Sequence, residues 1–135
     1  MCIAALRGIL PLHMEITTDI LASCTVVHPT GTLDRRSAPE LESALQTLTD
    51  MVHSRIVLDL SDVVEMSIAG LRVIISAAKL LRSERLGGDL RLAAPSARVV
   101  QVLDLAGLLP VLKVFDADEQ AIASFTEAPP GKKLA

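Results

Sequence analysis

The chain has 135 residues and a net charge of −3; half of its residues are hydrophobic, yet only 1% of the chain is aromatic. That length suits one domain with a sizeable core, and the core must be built from Leu, Val, Ile and Ala. The acidic balance and the lack of aromatic side chains exclude the basic, base-stacking face of a nucleic-acid binder, and no apolar run reaches the ~18 residues of a membrane span.

Residues 1–13 read as a loosely attached arm. Ile3 to Leu12 is apolar but broken by Arg7, Gly8 and Pro11, with no basic start, so it is not read as a signal peptide. Cys2 and Cys24 lack metal-ligand spacing and read as reduced thiols of a cytoplasmic protein. A short extended stretch from Met14 and the β-branched run Cys24–His28 are expected to pair antiparallel at one side of a sheet, with Pro29-Thr30-Gly31 stopping the second. Ser37-Ala38-Pro39-Glu40 reads as a capping box opening a first helix. Leu41, Leu45, Leu48 and Val52 form its apolar stripe.

Arg55–Leu60 is nearly all apolar after its first residue, as in a strand covered on both faces. Ser67-Ile68-Ala69-Gly70-Leu71 then opens the strongest helical pattern, with Leu71, Ile74, Ala78 and Leu81 inward and Ile68, Val73 and Ile75 in surplus. Ser67 reads first as the N-cap of this helix and second as a phosphoacceptor. Gly87-Gly88 supplies the following turn and Leu90–Ala94 the next strand. Pro95-Ser96 caps a third helix with Val99, Leu103 and Ala106 inward, ended by Gly107. Leu112–Phe115 is the last strand. Asp116 or Asp118 starts a fourth helix, and residues 127–135 form a solvated tail. Strands alternating with helices predict a single α/β domain over 14–126, with a mixed, mostly parallel sheet of four to five strands and four helices.

A strand that turns into a helix presents free backbone N–H groups and a positive dipole end, so the Ser67–Leu71 turn is the candidate for any binding. The phosphate loops GxGxxG and GxxxxGK[ST] are absent, as is the GxSxG elbow. His13, His28 and His53 are scattered. Asp59, Asp62 and Glu65 cluster near one strand end, where loop capping is the simpler reading than a cation site. We therefore expect no enzyme, no metal and no cofactor.

These residues together resemble the STAS domain of bacterial anti-sigma-factor antagonists and sulfate transporters. The resemblance covers about 14–126. It is carried by Gly31-Thr32-Leu33-Asp34, Ile56–Ser61, Gly70-Leu71, Gly87–Leu92, Pro95–Val99 and Val102–Leu108. It implies a protein-binding antagonist whose partner is an anti-sigma factor of serine-kinase type, with no nucleic acid and no membrane span. The implied contact surface is Ser67, Ile68, Ala69, Gly70, Leu71, Arg72 and Ile75, with Thr32, Asp34 and Arg35 on one side and Pro95 and Ser96 on the other. Where similar antagonists have Asp-Ser-Ser-Gly, this chain has Ser67-Ile68-Ala69-Gly70. The second Ser of that motif is the family's phosphoacceptor, and Ala69 in its place cannot gain the roughly −1.5 to −2 charges of a phosphoserine. Two other roles fit the same resemblance: an accessory subunit of a lipid-transport ATPase, or a module that itself binds a nucleotide or lipid. The resemblance leaves a homodimer open.

Overall fold

In the computed structural model, which describes residues 14–126, the apolar run after Arg55 forms the central strand. The elements are β1 (Glu15–Ile20), β2 (Thr25–Leu33), α1 (Ala38–Asp50), β3 (Arg55–Asp59), β4 (Val63–Met66), α2 (Ile68–Leu81), β5 (Asp89–Ala93), α3 (Ala97–Leu105), β6 (Lys113–Phe115) and α4 (Asp118–Thr126). The expected N-terminal arm and C-terminal tail lie outside the described residues. The sheet runs β1-β2-β3-β5-β6, with β4 paired to the far half of β2. Only β1 and β2 are antiparallel, as expected; the other pairs are parallel.

β3 explains its own composition. Ile56 and Leu58 enter the main core with Leu41, Leu45 and Leu48 of α1, Ile74 and Leu81 of α2, and Val99 and Leu103 of α3. Val57 faces the other way, onto a smaller cluster with Val26, Ala93 and Ala121 of α4. A strand covered on both faces needs an unbroken apolar run. Just ahead of the paired starts of β3 and β5, Gly88 lets the two chains approach closely: a Cβ there would lie 1.8 Å from the Ser54 carbonyl oxygen.

The sheet has six strands, one more than the sequence suggests. β4 was hidden because it is four residues long and buries only Val63 and Met66. β2 does not stop at Pro29 but continues to Leu33. Pro29 pairs with Ile16 of β1 beyond the last β3 partner, Val27↔Leu58, and before β4 joins at Gly31. No N–H is demanded on that side, so the proline is tolerated. Two stripe positions also differ. Val52 lies past the end of α1 at φ 66 and is exposed, and Ala106 is the exposed C-cap of α3. Both sit where a helix has ended, so the 3.6-residue period no longer aims them inward.

Candidate functional site

Three turns meet at one end of the sheet: β2 to α1, β4 to α2, and β5 to α3. The first two meet at Leu33. The Ser67 N–H donates to the Leu33 carbonyl at 2.9 Å. One turn into α2, a Cβ on Gly70 would lie 2.6 Å from Leu33 Cγ and 3.1 Å from its carbonyl oxygen. Leu33 is fully buried. Glycine at 70 is therefore what lets α2 dock on the end of β2.

The capping box at α1 is not formed as expected. Ser37 makes no side-chain cap bond. Its hydroxyl instead donates to the Thr32 carbonyl at 2.6 Å and accepts from the Asp34 N–H at 3.0 Å. The Ser37 N–H goes to Asp34 Oδ1, and Glu40 Oε1 accepts from the Met14 N–H at 3.1 Å. Asp34 thus folds its carboxylate into the turn. The N–H groups of Arg36 and Ser37 that it accepts hold its pKa below the ordinary value.

Ser67 occupies the N-cap position of α2 but does not cap it. Its backbone is extended, its side chain makes no cap bond, and its Oγ is buried with no hydrogen-bond partner. Ser96, by contrast, caps α3 as expected, accepting from the Val99 N–H at 3.3 Å. Around these serines, Thr32, Arg35, Arg36, Ile68 and Arg72 are exposed. Ala69, Ile75, Pro95 and Ser96 are half-buried. Gly70 and Leu71 are buried, so they shape the face without presenting side chains to a partner. The surplus apolar residues separate in the same way. Val73 packs at the seam with α1 beside Leu45 and Thr49, and Ile75 is half-covered; only Ile68, 69% exposed, stands in solvent.

Sequence reasoning missed the neighbouring strip. Glu65 of β4 pairs with Arg98 of α3, and beside them Met66, Gln101 and Val102 line an open groove of about 370 Å³. Its signal was β4 itself, which the sequence analysis does not recognise as a strand.

The acidic residues of the β3 end do not gather on a cation. His28 Nε2 lies 2.9 Å from Asp62 Oδ2, in ion-pair contact without the alignment of a hydrogen bond. Asp59 is buried and accepts from the Ser61 N–H at 2.9 Å. Burial and the neighbouring Asp59 push Asp118 up to about 6. Asp59 is held low against its own burial by hydrogen bonds from Asp118 and Ser61. Among the described residues no three such side chains converge on a metal site, and no helix is long and apolar enough to cross a membrane.

Residues 14–121 match the model of the STAS domain family. A Bordetella bronchiseptica protein named as an anti-sigma factor antagonist, BtrV, is 32% identical over 117 residues, which are 87% of this chain and 99% of that one. Among solved structures, a Thermotoga maritima protein described as an anti-sigma factor antagonist is similar in fold. It has a TM-score of 0.77 at 23% identity, covering 83% of this chain and 95% of its own. SpoIIAA of Bacillus in its unphosphorylated form gives 0.72 at 19% identity, covering 85% and 99%. The chain belongs to the STAS domain family, and the resemblance drawn from its motifs is borne out.

Proposed function

We propose that this chain is an anti-sigma factor antagonist that binds a kinase-type anti-sigma factor through the start of α2. It would thereby release a sigma factor, without being switched off by phosphate at that turn. One observation carries the reading: Ile68 and Arg72, four residues apart and therefore on one helix face, stand exposed beside Ala69, in the place where similar antagonists carry the phosphoacceptor. The similarity to BtrV supports the class of protein. The face offers binding and not catalysis. It holds no nucleophile with a base beside it, and the hydroxyl nearest to the missing acceptor in sequence, that of Ser67, is buried.

The test uses the full chain and each kinase-type anti-sigma factor from the same genome. Calorimetry should find a complex with at least one of them. After incubation with ATP, intact mass should show no added phosphate on the wild type, and Ala69→Ser should gain one. A phosphate mapped to Ser67 in the wild type, with loss of the complex, overturns the regulatory half. Failure of every such factor to bind overturns the whole.

A further inference from the structure

We infer that the partner of this face is an acidic protein segment with an apolar insertion, and that it reaches across β4 into the groove beside α3. The inference rests on the reading of the α2 start as the binding face.

Charge is the first argument. The whole chain carries −3, yet this end displays Arg35, Arg36, Arg72 and Arg98, all exposed. Arg35 and Arg72 make no ion pair among the described residues. Arg36 sits beside Asp34, whose carboxylate is already engaged by backbone N–H groups. Only Arg98 is paired, with Glu65, and that pair is 69% and 55% exposed. An ion pair so open to water contributes little, so a carboxylate from a partner can replace Glu65 on Arg98 at small cost. The acidic groups of this end are engaged within the chain, Asp34 by its own turn, Asp62 against His28 and Glu65 on Arg98, so its guanidinium groups can steer a partner's carboxylates to this place and orientation.

Shape is the second argument. Ile68 at 69% and Val64 at 61% exposure flank Met66 along the chain, and Met66 lines the 370 Å³ groove. Met66 and Val102 give that groove apolar walls, and Arg98 stands at its side. An apolar side chain flanked by carboxylates fits both parts at once. Another exposed apolar group, Ile20, Leu21, Met51 and Val52, lies about the β1–β2 turn and the α1–β3 link. Its near neighbours are one cation, Arg55, and the carboxylates Asp19 and Asp50, against the four arginines at the α2 end, so it serves as the internal control.

The experiment titrates the isotopically labelled chain with two short peptides. They share an apolar core of Leu and Ala and differ only in carrying Glu or Lys at the flanks. The Glu peptide should shift amides around Ile68, Arg72, Met66 and Val102, and the Lys peptide should not. High salt and the Arg35→Glu/Arg72→Glu variant should each remove the difference. With an anti-sigma factor that binds, the same double variant should weaken the complex roughly tenfold or more, and Val102→Asp should weaken it too. Equal response to both peptides, shifts centred on Ile20 and Val52, or a complex untouched by the double variant overturns the inference. Peptide selectivity at this face with no anti-sigma factor binding leaves the inference standing and removes the proposed function instead.

Discussion

The starts of α1 and α2 carry the same residue type at the same helical position and use it in opposite ways. At α1, Ser37 is 3% exposed and its hydroxyl is built into the turn, giving to Thr32 and taking from Asp34. At α2, Ser67 has an extended backbone and a buried oxygen with no partner. The difference teaches that a serine before a helix marks where the helix begins, but not what its oxygen will bind. That is decided by whatever tertiary neighbour arrives. At α1 the neighbour is the end of β2. At α2 the end of β2 supplies a leucine side chain and a carbonyl already taken by the Ser67 N–H. An orphaned buried hydroxyl is unfavourable, so this turn does not gain from its serine the stability that the α1 turn gains.

The largest way to break this comparison is Gly70→Ala. The added carbon would meet Leu33 at 2.6 Å, so α2 must lift from β2 or Leu33 must leave its rotamer. Overpacking of this kind costs about 1–3 kcal/mol. Denaturant unfolding should show that loss, and the amides of Leu33 and Ser67 should shift together. A variant with unchanged stability would mean that the two helix starts are not coupled through Leu33.

Next in size is Ser37→Ala, which leaves the Thr32 carbonyl and the Asp34 N–H without their partner. About 1–3 kcal/mol of stability should be lost. Ser96→Ala, a simple N-cap deletion, should cost about 1 kcal/mol. If Ser37→Ala proved milder than Ser96→Ala by urea titration, the internal turn at α1 would be worth no more than an ordinary cap.

What could be read ahead of the fold follows the range of each interaction. The α2 stripe of Leu71, Ile74, Ala78 and Leu81 is buried as its period requires. The antiparallel β1–β2 pair, the parallel core and the Ser96 cap were likewise legible, because local pattern dictates them. The fate of Ser37 was not, since its acceptor Thr32 lies on a strand thought to have ended. Val73 looked surplus because one helix's period cannot show that α1 will cover a second side. Gly70 was visible as a motif residue, but its reason, the approach to Leu33, is a tertiary contact. The proposed face was legible as a place, the turn into α2; the strip beside it at Glu65, Arg98 and Val102 was not, because β4 is too short to announce itself.

The start of α4 extends the comparison to charge. Burial and the neighbouring Asp59 push Asp118 up to about 6 from the ordinary 3.8. A carboxyl group whose folded value is raised favours the folded state below its unfolded value, and that contribution is lost as pH rises through the folded one. The wild type should therefore lose it between about pH 4 and about pH 6. Asp118→Asn cannot titrate, so its stability relative to wild type should climb across that window. Asp59, held low, acts in the other direction and only below 3.8. His28, Asp62 and Glu119 remain in both proteins, so the difference between the two profiles isolates Asp118. A flat difference in thermal melts from pH 4 to 7 would mean that burial and Asp59 do not raise Asp118.

The smallest expected effect is Ser67→Ala, and its smallness is the point. Removing a hydroxyl that makes hydrogen bonds costs stability; removing one that is buried and unpaired costs none and can return its desolvation penalty. Its oxygen is unpartnered and the α2 N–H groups gain nothing from it, so stability should stay within about 0.5 kcal/mol of wild type, or rise slightly. Ser37→Ala measured beside it supplies the scale. Partner binding separates two roles for the oxygen. If Ser67 only shapes the turn, the variant binds the anti-sigma factor as tightly as wild type. If its hydroxyl turns outward to meet the partner, affinity falls while stability does not. A loss of stability comparable to that of Ser37→Ala would contradict the orphaned oxygen itself, and with it the contrast between the two helix starts.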